Sequence, residues 1–221
     1  MARKPIPMPT LQAEVRLWQA GYRHVAGLDE AGRGALAGPV VAAAVIVPPY
    51  SRQEGLWTEV TDSKLLSATQ RATLEGHIQE SALAWGIGAV SAQQIDVMGI
   101  GPATRQAMMT AIAALAVPAD YLLIDWVRLP QCPILQESYT KADQRFVSVA
   151  AASILAKVHR DRLLTMLHER YPCFGFAQHK GYGTAGHLAA LATHGPCLEH
   201  RYSFAPLAQE RILFDYANPT P

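Results

Sequence analysis

The sequence predicts an α/β fold built on a central mixed sheet flanked by helices. Three observations carry this. Short apolar runs of strand length alternate with longer segments of helical spacing. Glycine and proline fall mostly at the junctions between these segments. Half of the 221 residues are hydrophobic and only 17% are charged, which suits a packed core and excludes a disordered chain.

The elements follow in order. Residues 1–10 read as a loose start, within an N-terminal segment (1–21) ahead of a single domain (22–221). Leu11 to Gly21 has the spacing of a short amphipathic helix. His24 to Asp29 reads as a strand, broken by the glycines of Ala31-Gly32-Arg33-Gly34. Gly38-Pro39 opens a second strand, Val40 to Val47, which Pro48-Pro49 ends; the two runs read as an antiparallel pair. Ser67 to Ala82 has a serine cap and helical spacing. Ala84 to Val90 is a third strand, and Pro102 to Leu115 a helix closed by Pro118. Tyr121 to Ile124 is a short buried strand ending at Asp125. Phe146 to Arg170 is a long helix, apolar early and basic late, ended by Pro172. His179 to Gly183 is a glycine-rich turn, and Thr184 caps a helix to Thr193. The tail after Pro196, including Gln209 to Tyr216, reads as a cover for the core. Met98, Met108 and Met109 read as core filling.

Composition narrows the function. A net charge of +1 means that any nucleic-acid contact relies on local positive charge. Lys141 to Tyr182 holds seven basic residues against three acidic ones, which on charge alone describes a solvated helix surface. Cys132, Cys173 and Cys197 form neither a zinc spacing nor a disulfide framework. The start, MARKPIPMPT, lacks an apolar signal region, and no run approaches a membrane span. The expectation is a cytoplasmic monomer without a membrane partner.

Four carboxylates stand out. Asp29 and Glu30 are adjacent at a strand end, where alternation would aim them at opposite faces unless the turn distorts the strand. Taken alone, acids before glycine more often mark an exposed turn. Asp125 ends a buried strand, where open sheets gather ligands, although an Asp there equally caps a turn. Asp143 precedes the small-residue segment Ser148 to Lys157, where an acid commonly sits at a helix N-terminus. Together the four offer the oxygen ligands that hard divalent cations take. Two-metal phosphodiester hydrolysis needs shared carboxylates holding the ions about 3.5–4 Å apart. No G-x-S-x-G elbow, Cys–His dyad or P-loop competes.

At this point the sequence resembles the ribonuclease HII family. Leu28-Asp29-Glu30-Ala31-Gly32-Arg33-Gly34 with Gly38-Pro39-Val40 is similar to its opening signature. Asp62-Ser63-Lys64-Leu65-Leu66-Ser67 resembles its DSK segment, and Ser148 to Lys157 with Arg160-Asp161 its alanine-rich helix. His179-Lys180-Gly181-Tyr182-Gly183-Thr184 with His187, and His200-Arg201 with Ser203-Phe204-Ala205-Pro206, resemble its late turn and closing motif. The likeness runs in order over about residues 22 to 207.

The resemblance implies a ribonuclease H-like fold with a C-terminal helical extension. It implies that Asp29, Glu30, Asp125 and Asp143 are catalytic and bind Mn²⁺ or Mg²⁺. It implies that Gly32, Arg33 and Gly34 read the 2′-hydroxyl, that Tyr182 packs on the deoxyribose after an RNA-to-DNA junction, and that Lys64 and Lys180 contact phosphates. The implied partners are an RNA–DNA hybrid and ribonucleotide-containing duplex DNA. The implied activity is endonucleolytic cleavage of the RNA strand, and nicking 5′ of single ribonucleotides, leaving 3′-hydroxyl and 5′-phosphate ends.

Two departures matter. After Asp125 the family usually continues Gly-Asn, whereas here Trp126-Val127 follows; a Trp there could narrow the site or stack on substrate, and the expectation is that it faces the core instead. Tyr202 stands where an Arg is usual, removing one positive charge. His179 and His187 read as structural or surface residues rather than proton shuttles. Two rivals are the related ribonuclease HIII and an inactive hybrid-binding protein. The short stretch before Asp29 speaks against the extra substrate-binding domain of the first, and the intact carboxylate set against the second.

Overall fold

The computed structural model describes residues 8–208; the tail from Gln209 to Tyr216, expected to cover the core, lies outside them. The elements are α1 (Gln12–Gln19), β1 (Val25–Ala31), β2 (Val40–Ile46), α2 (Leu56–Glu59), α3 (Ala68–Ser81), β3 (Ala84–Val90), α4 (Ala92–Met98), α5 (Ile100–Ala113), β4 (Tyr121–Asp125), β5 (Leu135–Tyr139), α6 (Val147–Arg170), α7 (Phe176–His179) and α8 (Ala185–His194). Short 3₁₀ turns stand at Ser63–Leu65, Ala142–Gln144 and Pro172–Phe174.

The strands form one sheet in the order β3-β2-β1-β4-β5. β2 runs antiparallel to β1 and β3, while β1, β4 and β5 run parallel, so the sheet is mixed as the sequence predicts. β2, Val-Val-Ala-Ala-Ala-Val-Ile, is buried throughout, because helices cover both of its faces. One face packs Val25, Val45 and Leu123 under α6, and the other packs Leu28, Ala44 and Ile124 under α5. Each of these Val, Leu and Ile side chains contributes roughly 1.5–3 kcal/mol on burial. Met108 is fully buried in the second core, and Met98 and Met109 pack against it.

α6 rests almost directly on β1. A Cβ on Gly27 would fall 2.2 Å from the Ser148 carbonyl carbon, so only glycine fits under the helix. The same closeness explains the run Ala150-Ala151-Ala152 on the buried part of α6. The start of α6 has no side-chain cap of its own. Glu14 of α1 supplies one from outside: its Oε1 accepts from the Ser148 amide at 2.9 Å and from Ser148 Oγ at 2.7 Å. Leu11, Leu17 and Trp18 join the α6-side core.

The helices predicted with polar caps are found with them. Ser67 and Gln70 close a capping box on α3, and Thr184 caps α8 by accepting from the His187 amide. Ser91 and Gln94 make a second capping box on α4, a helix that the periodicity did not single out. β5 was likewise not expected. Its sequence, Leu-Gln-Glu-Ser-Tyr, is polar because it is an edge strand paired only with β4. β1 continues two residues beyond the expected end, through Ala31, which pairs with Val41.

Beyond α6 the chain builds a third, smaller core. Phe174, Phe176, Leu191 and Leu207 pack there on Leu36, Ala37 and Leu164. The helical extension is thereby fastened to the loop that follows β1. No helix among the described residues is long and apolar enough to cross a membrane. The three cysteines are free.

Candidate active site

The sheet register brings the first two acids together. β1 and β4 are parallel, with Leu28 opposite Ile124, so Asp29 and Asp125 are the next residues on neighbouring strands. Both lie at the carboxyl ends, where open sheets place their ligands. Asp29 is buried and accepts from the Glu30 amide at 2.7 Å. Burial, reinforced by the charges of Glu30 and Asp125, holds its carboxyl well above the usual range. Asp125 accepts from the Ala142 amide at 2.7 Å. Its pKa is also raised, by burial first, against that hydrogen bond, with Asp143 adding repulsion.

Glu30 corrects one expectation. β1 is not distorted between the adjacent acids but runs straight through both. By register Glu30 belongs to the opposite face from Asp29, and it meets the site at the strand's end. Its side chain is nearly buried and its Oε2 has no hydrogen-bond partner among the described residues. Burial pushes Glu30 up to about 7, with Arg33 opposing the shift and Asp125 adding to it. Arg33 Nη1 lies 3.5 Å from Glu30 Oε1.

Asp143 arrives from the 3₁₀ turn before α6, which the Ala142–Asp125 hydrogen bond fixes against β4. Lys64 Nζ stands 3.4 Å from Asp143 Oδ2 and 3.7 Å from Asp62 Oδ1. Burial would lower the Lys64 pKa, but Asp143 and Asp62 outweigh it and the pKa rises. Asp62, which sequence reasoning did not weigh, accepts from the Lys64 amide at 2.9 Å and from Gln144 Nε2 at 3.1 Å. It ties the DSK segment to the turn carrying Asp143. Its only signal in the sequence was membership of the Asp62-Ser63-Lys64 motif.

The glycine loop is held from below by two buried arginines. Arg160 of α6 donates to the carbonyls of Pro39, Lys180 and Ala37 at 2.9–3.0 Å. Arg201 donates to Gly38 twice, at 3.0 and 2.8 Å, and to Arg33 at 2.9 Å. Burial lowers both pKa values, that of Arg201 to about 9, where Arg160 adds repulsion. Arg160 therefore contributes nothing to surface charge, although it counts toward the basic stretch in the sequence. Gly32 has φ +91°, and a Cβ there would fall 1.9 Å from Arg160 Nε. A Cβ on Gly34 would meet nothing within 4 Å. The fold thus requires glycine at 32 and leaves the space beside 34 open.

The late turn packs on this loop: the Leu36 amide donates to the Gly181 carbonyl at 2.8 Å. Tyr182 is 38% exposed, with the Arg160 and Lys157 cations 5.4 and 6.0 Å from its ring centroid. Lys180, expected to contact phosphate, stands on the outer side of this turn away from the carboxylates. Its ammonium donates to the Ala177 carbonyl at 2.6 Å and to Thr165 Oγ1 at 3.2 Å, so it is not gathered to the carboxylates. His187 is structural, as expected: it is buried, its Nδ1 meets the Tyr182 carbonyl at 2.9 Å, and its Nε2 meets His200 Nε2 at 3.0 Å. Trp126 is the clear reversal. It does not face the core but is 55% exposed at the edge of the site. The Arg33 guanidinium lies 4.0 Å from its ring centroid.

The donor set fits a hard divalent cation. All four groups are carboxylates, burial and then their mutual charge raise Asp29 and Asp125, and Glu30 offers a buried oxygen without a partner among the described residues. Among the described residues, no three His, Cys, Asp or Glu side chains already surround a common point. Each acid instead leans on its own partner: the Glu30 amide for Asp29, Arg33 for Glu30, the Ala142 amide for Asp125 and Lys64 for Asp143.

The chain is similar to known proteins. The family model described as Ribonuclease HII matches residues 26–207. Ribonuclease HII of Herpetosiphon aurantiacus is 50% identical over 90% of this chain and 96% of its own length. The crystal structure of ribonuclease H2 from Pyrococcus horikoshii superposes with a TM-score of 0.72 at 25% identity, over 86% of this chain and 98% of that one. The structure of Bst-RNase HIII in complex with Mn²⁺ gives a TM-score of 0.66 at 19% identity, over 89% of this chain and 71% of that one, a likeness of fold alone.

Proposed function

Because the chain belongs to the ribonuclease HII family, and is therefore a hydrolase acting on RNA in RNA–DNA hybrids, we propose that it also nicks duplex DNA 5′ of a single embedded ribonucleotide, leaving 3′-hydroxyl and 5′-phosphate ends. What supports this reading is that Asp29 and Asp125 follow paired residues at the ends of β1 and β4, with Glu30 next to Asp29 and Asp143 on the turn that donates to Asp125, beside a glycine loop with open space at Gly34. Its substrates are the RNA–DNA hybrid and ribonucleotide-containing duplex DNA, and it acts as a monomer.

Asp29, Glu30, Asp125 and Asp143 would hold Mn²⁺ or Mg²⁺. Bound in pairs, such ions activate a water and neutralise charge on the leaving oxygen. The chain's own residues do the rest. Glu30 keeps Oε2 buried and without a hydrogen-bond partner among the described residues, so that oxygen is available to a cation. Lys64 places positive charge beside Asp143, where a phosphate approaching the carboxylates is attracted. The loop at Gly34 admits the sugar, and a 2′-hydroxyl there is what separates RNA from DNA. Tyr182, exposed above Arg160, offers a ring for the deoxyribose on the far side of a junction. Lys180 spends two of its three donors on Ala177 and Thr165, so we assign the phosphate contact to Lys64 first.

The test is end analysis of the cut. A 5′-labelled RNA–DNA hybrid is incubated with the protein and Mg²⁺ or Mn²⁺, and the RNA products are offered to a polymerase. Extension of the upstream product without phosphatase treatment supports hydrolysis leaving a 3′-hydroxyl. Products blocked at the 3′ end would refute it.

A further inference from the structure

Trp126 is held in a backbone conformation that large residues avoid. Its φ is +62°, and the Val127 amide donates across it to the Asp125 carbonyl at 2.7 Å. This is a γ-turn of the rarer, strained hand. The Trp126 amide donates to the Tyr139 carbonyl at 3.0 Å, so the end of the β4–β5 ladder keeps the turn in place. The chain thus strains its backbone to put its most exposed tryptophan directly after a carboxylate of the site.

Arg33 does not account for that ring. Its guanidinium lies over Trp126 at 4.0 Å, but it also reaches Glu30, and its carbonyl is fastened by Arg201. More than half of the tryptophan remains uncovered. A solvent-exposed cation–π pair is a weak reason for a strained, exposed indole. A second contact, made only when substrate is present, is a stronger one.

The geometry points to Trp126 as a substrate-binding and specificity residue, packing on a ribose of the RNA strand next to the scissile phosphate. This rests on the reading of the site as a hybrid nuclease. In an intact hybrid the base faces are stacked away, while the wide, shallow minor groove exposes sugars and 2′-hydroxyls. A flat ring at the mouth of such a site meets sugar rather than base. Its position one residue from Asp125 restricts the contact to nucleotides flanking the cut. Arg33 beneath the ring supplies positive charge to the adjoining phosphate.

The experiment measures binding and cutting on the same samples. Full-length wild type, W126G, W126F and the pair R33Q and R33Q/W126G are titrated without metal against a fluorescein-labelled RNA–DNA hybrid, read by anisotropy, and cleavage is followed after metal is added. W126G is expected to raise Kd about tenfold and W126F about threefold or less, in line with stacking losses at nucleic-acid sites. Glycine relieves the positive φ, so W126G is expected to melt no lower than wild type. An unchanged Kd in W126G overturns the assignment. So does a W126G effect that disappears in the R33Q background, since Trp126 would then act only by holding Arg33. If wild type binds the hybrid but leaves it uncut, the nuclease reading fails while Kd still decides Trp126. If wild type does not bind the hybrid, both fall.

Discussion

Lys64 Nζ lies 3.4 Å from Asp143 Oδ2, so the lysine of the DSK segment reaches the turn before α6 at the edge of the carboxylate site. The Lys64 side chain is 77% exposed, which makes the pair a weak contributor to stability and leaves the ammonium free to meet a phosphate. Lys64→Ala is expected to raise KM for a hybrid roughly tenfold and to reduce the slope of log K against log salt by about one. Titrations at several salt concentrations check this. An unchanged slope would mean that Lys64 serves only Asp143.

Gly32 and Gly34 separate fold from function. Gly32→Ala sets a Cβ against Arg160 at a positive φ, and is expected to lower the melting temperature markedly. Gly34→Ala meets no protein atom, so its melting temperature stays near that of wild type. Its kcat/KM on hybrid is expected to fall roughly ten- to a hundredfold, the cost of misplacing a bound group by about an ångström. Paired melts and cleavage assays decide. Full activity in Gly34→Ala would remove the loop from substrate contact.

Glu14 caps α6 from another helix. Glu14→Ala leaves the Ser148 amide and hydroxyl without that acceptor in the core, and is expected to cost roughly 1–3 kcal/mol in denaturant unfolding. Glu14→Gln keeps the acceptor oxygen and removes the burial penalty that raises the Glu14 pKa, so it is expected to match wild type. Equal losses in both variants would contradict the capping role.

Much of the site was legible as residues but not as arrangement. Asp29, Glu30, Asp125 and Asp143 follow from motif likeness and from strand ends, and the α/β order follows from alternating periods. β5 was missed because an edge strand with one paired side carries no hydrophobic alternation. Arg160 read as surface charge because nothing local reveals that backbone carbonyls from distant loops converge on it. Trp126 was expected in the core because hydrophobicity favours burial, and a positive φ that turns a side chain outward leaves no trace in composition.

His200 provides a pH test of the extension. Its pKa is pushed down to about 4, by burial first and then by His187. The unfolded chain therefore takes up a proton that the folded chain refuses. Stability is unaffected by this group above its ordinary value of 6.5 and declines as pH falls from there toward about 4. His200→Gln is expected to be less stable at pH 7 but to lose less between pH 7 and pH 5. Melting curves at the two values check this, and an equal loss would exclude His200 as the source.

The most direct measurement is cleavage of a DNA duplex carrying one ribonucleotide, by wild type and Asp29→Asn, with Mg²⁺, Mn²⁺ or EDTA. The expected result is a nick on the 5′ side of the ribonucleotide by wild type only with metal, and none by Asp29→Asn. Cleavage in EDTA, or by Asp29→Asn at the wild-type rate, would contradict a carboxylate-held metal centre. Cutting of long hybrids alone would contradict recognition of the single ribonucleotide.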